Sequence, residues 1–78
     1  MNAKIAEKKA AEAGRQITVA KANSWIGSND ACFRAGADPS KMWACSSYNP
    51  VQGCIYEPTN FYRTLAELVE DQIERANV

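Results

Sequence analysis

Seventy-eight residues make one domain, near the smallest size at which a hydrophobic core alone sustains a fold. Nine Lys/Arg balance nine Asp/Glu, so whole-molecule attraction to nucleic acid, membranes or acidic substrates is not indicated. An apolar fraction of 46% is too high for disorder, and the absence of histidine removes Ser-His and Cys-His nucleophile pairs.

Asn2 opens the chain as a good helix N-cap. After it Ala3, Ala6, Ala10, Ala13, Ile17 and Ala20 recur at three- and four-residue steps, a single helical stripe of small residues. The spacing predicts a helix over 3–26, bent at Gly14. A second version ends the helix at Gly14 and makes Gln16–Ala20 a strand, because Ile17 and Val19 alternate with polar neighbours. Gly27-Ser28 reads as a stop and a cap, opening a short helix over 29–35 that Gly36 terminates. Asp38-Pro39 is a second start signal, an N-cap with proline in the first helical position, and predicts a helix over 39–47. Asn49-Pro50, Gly53 and Pro58 punctuate an irregular loop over 48–58, in which Cys54-Ile55-Tyr56 suits an extended piece. Thr59 or Asn60 caps a final helix over 60–76, with an apolar stripe of Phe61, Leu65, Leu68, Val69, Ile73 and Ala76. The expected fold is therefore mainly α: a single domain over 1–78, a bundle of about four helices (3–26, 29–35, 39–47, 60–76) with one loop.

Charge is unevenly spread. Residues 1–41 carry +3 and residues 42–78 carry −3. A basic first helix beside an acidic last helix, within one chain or across a homodimer, accounts for that asymmetry. Three cysteines, Cys32, Cys45 and Cys54, are an odd number and argue against a secreted disulfide scaffold. Charges throughout Met1–Lys9 leave no room for the apolar core of a signal peptide, and no apolar run approaches the length of a membrane span. The expected location is the reducing cytoplasm, with no membrane partner.

Catalytic and cofactor chemistry find no apparatus in the sequence. The cysteines are spaced 13 and 9 apart, with no CxxC pair, which matches no usual zinc spacing, so no metal is expected. No GxGxxG or P-loop motif is present to cradle a phosphate-bearing cofactor. Glu67, Glu70, Asp71 and Glu74, at helical spacing, read as the solvated back of the last helix rather than as an acid–base cluster. The expectation is no catalytic residue, no metal and no cofactor.

Two binding readings follow. In the first, the aromatic residues Trp43, Tyr48, Tyr56 and Tyr62, with Lys41 at the rim, contact a larger protein or protein complex, because Trp and Tyr are favoured at interfaces. By analogy of size and composition, such a chain suits a phage or mobile-element accessory protein, including an inhibitor of a host defence complex. In the second, residues 28–47 form a short helix, a turn at Gly36 and another short helix, with Cys32 as the small residue at the crossing. Ala31, Ala35, Ala37, Met42 and Cys45 then face inward. On these features the segment resembles helix-turn-helix DNA-binding domains over 20 of the 78 residues. The resemblance implies a small, dimeric transcriptional regulator. Ser40, Lys41, Trp43 and Ser47 would then lie toward the DNA, and Lys4, Lys8, Lys9, Arg15 and Lys21 toward the phosphates.

Overall fold

The computed structural model describes residues 1–24, 36–49, 54–55 and 60–78. Helices α1 (Ala3–Glu12) and α2 (Leu65–Ala76) flank strands β1 (Ile17–Lys21), β2 (Trp43–Asn49), β3 (Cys54–Ile55) and β4 (Phe61–Tyr62). Single 3-10 turns lie at Ala22–Ser24 and Pro39–Lys41. The described residues form a small α+β fold, two helices on an antiparallel sheet, and this overturns the expected four-helix bundle. The expected helix 29–35 lies outside the described residues.

The first helix stops half-way along its expected length, and the reason is local. Gly14 adopts φ +96°, which L-residues with a Cβ rarely take. Its N–H donates to Ala11 O (2.9 Å) while Arg15 N–H reaches back to Ala10 O (2.8 Å). That pair of bonds is the Schellman arrangement, which satisfies the last carbonyls of a helix and reverses the chain. The β-branched run Ile17-Thr18-Val19 then enters β1 instead of resuming a helix. Asn2 does cap α1, accepting from Ile5 N–H at 3.0 Å.

The Asp38-Pro39 start signal also operates, for one turn only. The Asp38 carboxylate accepts from Ser40 N–H at 2.9 Å and from Ser40 Oγ at 2.7 Å, opening the 3-10 turn. Met42 is already extended, and residues 43–49 form β2 where a helix over 39–47 was expected. Ser46 and Ser47 are weak helix formers, and β2 gains strand partners on both sides. The expected helix 60–76 begins instead at Leu65, with Thr64 Oγ1 accepting from Glu67 N–H at 3.1 Å. Phe61 and Tyr62 form β4. Part of the expected loop 48–58 is strand: Tyr48 and Asn49 pair in register with Ile55 and Cys54.

β2 is the centre of the sheet. β1 pairs with it from Ile17↔Ser47 to Lys21↔Trp43, and β4 pairs with its first residues, Trp43↔Tyr62 and Ala44↔Phe61. Cross-strand partners share a face. One face therefore carries Ile17, Val19 and Lys21 of β1, Trp43, Cys45 and Ser47 of β2, and Tyr62 of β4. Both helices pack on this face: Ala6 and Ala10 of α1 and Leu65, Leu68 and Val69 of α2 join Ile17 and Val19 in the core. Leu68 is fully buried; burial of a leucine side chain contributes roughly 1.5–3 kcal/mol. The small alanines let α1 lie close along β1, where Glu7 accepts the Val19 N–H at 3.2 Å. That bond occupies an edge-strand donor left free by β2. On the opposite face Ala44 and Ser46 are buried too, and Ser46 Oγ has no hydrogen-bond partner among the described residues.

Candidate functional site

The helix-covered face has two polar ends. At one end, a row runs across three strands, Lys21–Trp43–Tyr62, all half-buried. Lys21 Nζ sits 4.3 Å from the centre of the Trp43 ring, a cation–π contact that holds both side chains in place. Tyr62 leans onto α2, where its hydroxyl donates to Asp71 Oδ2. The same carboxylate oxygen accepts from Arg75 Nε at 2.9 Å, an i,i+4 pair within α2. Two donors on one carboxylate, Tyr62 first and Arg75 second, hold the Asp71 carboxyl below its ordinary pKa. Burial and the donation to Asp71 push the Tyr62 hydroxyl well above the ordinary tyrosine range, so it remains protonated.

At the other end, the polar side chains come from four separated segments. Gln72 is 3% exposed and makes two bonds. Its Oε1 accepts from Arg15 Nε at 3.2 Å, and its Nε2 donates to Cys45 Sγ at 3.4 Å. Burial raises the pKa of the Cys45 thiol and outweighs the pull of the nearby Arg15 and Arg75. The sulfur is thus a neutral hydrogen-bond acceptor and not a thiolate nucleophile. Ser47, Asn60 and Arg75 complete the walls of a small cleft of about 50 Å³ over Ile17.

The structure brings together only some of the side chains singled out for binding. Trp43 and Tyr62 are register partners, and Lys41 is exposed on the adjoining turn. Tyr48 lies towards the far end of β2, and Tyr56 lies outside the described residues. Lys4, Lys8 and Lys9 are exposed on α1, while Ser40 and Lys41 are exposed on the turn before β2. Ser47 is exposed at the cleft, and Trp43 is partly packed into the core. The stretch meant to read bases, 39–47, is a turn and a strand. The acidic and basic helices do pack side by side. Among the described residues, however, the one ion pair, Arg75–Asp71, lies within α2.

Sequence reasoning missed Gln72 and Asn60 as site residues, and gave Lys21 and Arg15 only as contacts to DNA phosphates. A signal for Gln72 was present in the phase of the last helix. Leu65, Leu68, Val69 and position 72 follow the i, i+3, i+4, i+7 rule, which puts Gln72 on the buried stripe and turns Ile73 outward, 40% exposed. A glutamine in a core position requires partners. No local pattern pointed to Arg15 as one of them, since it is 57 residues away.

No protein-family model matches the chain, and no curated protein or solved structure matches it significantly. No described helix is long and apolar enough to cross a membrane, and no group of three or more His, Cys, Asp or Glu among the described residues is placed to hold a metal ion.

Proposed function

We propose that this chain is a non-catalytic binding protein that acts through protein–protein contact, and that its contact surface is the Lys21–Trp43–Tyr62 row with Lys41 beside it. The observation that carries the reading is the row itself: an aromatic pair and a lysine, half-exposed, side by side on three strands. Such side chains supply large contact area, and a row held by a cation–π contact and by a tyrosine hydroxyl already bonded loses little freedom on binding. The partner is a larger protein or complex in a reducing cytoplasm. The small size of the chain suits an accessory protein of a phage or mobile element that blocks a host defence complex.

A photo-crosslinking amino acid at position 41, compared with one at position 8 on α1, tests this in cells of the native host. Position 41 should give a discrete adduct with one host protein and position 8 should not. Trp43→Ala and Lys21→Glu should abolish the adduct while far-ultraviolet circular dichroism stays native. Undiminished adduct in both folded variants would remove the row from the interface. A salt-sensitive shift of duplex DNA, lost on reversing Lys4, Lys8 and Lys9, would replace this reading with nucleic-acid binding.

A further inference from the structure

At the opposite end of the sheet from the aromatic row, we infer a binding site for one small oxyanion, a carboxylate or a phosphate group, held between Arg15 and Arg75. Arg15, Arg75, Ser47, Asn60 and Gln72 line the cleft of about 50 Å³, and no Asp or Glu is among its lining residues. Arg15 is half-buried, and its Nε is committed to the buried Gln72. A guanidinium carries five N–H donors, and among the described residues the terminal amino groups of Arg15 have no protein acceptor. Those of Arg75 likewise have none, since its Nε alone engages Asp71. Arg15 is a half-buried cation whose only described hydrogen-bond partner is a neutral amide, and the nearby Asp71 carboxylate, which feels its charge, is already engaged by Tyr62 and Arg75. An oxyanion entering the cleft would compensate the Arg15 charge through charge-assisted bonds.

The built-in geometry favours such a ligand over water alone. Gln72 spends its acceptor on Arg15 and a donor on Cys45, so it orients the arginine instead of competing with it. The Cys45 sulfur is uncharged and brings no negative group of its own into the cleft. By the same measure of volume a single water needs on the order of 10–15 Å³. The cleft therefore has room for the few heavy atoms of an oxyanion head and not for a nucleoside or a sugar. It opens to solvent, so the remainder of a larger molecule can project outward.

The test uses inorganic phosphate and acetate as probes, with potassium chloride at matched ionic strength as control. The readout is nuclear magnetic resonance of the arginine Nε–Hε and Gln72 side-chain amide signals. Phosphate, acetate or both should give saturable shifts at Arg15 and Arg75 that chloride does not. Saturation by phosphate alone assigns the site to phosphate groups, and saturation by acetate shows that carboxylates enter it. Arg75→Gln, on the exposed side, and Arg15→Gln should each weaken binding by about tenfold or more, equivalent to about 1.4 kcal/mol. Ser47→Ala should weaken it less. Shifts that stay linear and equal to those of chloride would overturn the inference. So would saturable binding that persists unchanged in both folded arginine variants.

Discussion

The two ends of the helix-covered sheet face rest on the same strands, β1 and β2, and under the same helix, yet they are built differently. The aromatic end is a register row, Lys21↔Trp43↔Tyr62, whose members meet because three strands align there. The arginine end is a convergence of side chains from the turn after α1, from β2, from the approach to β4 and from α2. In the first, backbone pairing does the positioning, and side-chain hydrogen bonds add to it. In the second, one buried amide, Gln72, does the positioning, and the site depends on it. A polar cluster on a small fold can thus be held by sheet register or by a single buried hub, and the two respond differently to mutation.

Leu68 supports both ends, so Leu68→Ala should give the largest effect. A fully buried leucine cut to alanine costs roughly 2–5 kcal/mol, including the cavity left behind. Urea unfolding should show a lower midpoint with an unchanged slope, and a loss under about 1 kcal/mol would mean that α2 is not the common support. The next variants separate the ends. Gln72→Leu keeps side-chain volume but removes the one described partner of the half-buried Arg15 Nε, and should cost about 1–3 kcal/mol. Tyr62→Phe removes one bond to a partly exposed carboxylate and should cost about 0.5–1.5 kcal/mol. If Tyr62→Phe proved the more damaging of the two, the distinction between register and hub would fail.

The smallest expected effect is on acid stability. Asp71 has a folded pKa held below its unfolded value by Tyr62 and Arg75. A depressed carboxyl adds stability that is complete above the unfolded pKa of about 3.9 and is lost as pH falls through the lower folded value. The wild type should therefore lose stability below about pH 4, where Asp71→Asn, already lacking that contribution, should show a shallower decline. Parallel acid limbs for the two proteins would show that the Tyr62–Asp71–Arg75 link adds nothing at the aromatic end.

Much of the local punctuation was legible in the sequence. Asn2 and Asp38 cap as expected, and Gly14 is a special position. The misreadings came where a local signal competed with a distant partner. The alanine stripe runs on into Ile17 and Ala20, yet Gly14 reverses the chain and the β-branched residues pair with β2. Asp38-Pro39 starts a turn of helix, but Trp43–Asn49 has strands available on both sides and joins them. For the binding residues, Trp43, Tyr62 and Lys41 stood out by residue type alone. Lys21 and Arg15 stood out only as cations for DNA phosphates, because a lone cation in a sequence carries no sign of the ring or amide it will meet.

Residue type and spacing alone determined the caps at Asn2 and Asp38, the existence of an amphipathic last helix and the absence of a histidine-based nucleophile, since the caps and the periodicity depend on groups within a few residues of one another. The three-dimensional arrangement settled the choice between a long first helix and a strand at 17–21, made 43–49 a strand, and brought two arginines 60 positions apart into one cleft. Strand pairing and buried hydrogen bonds are stabilised by partners far along the chain, and a reading confined to neighbours has no access to those partners.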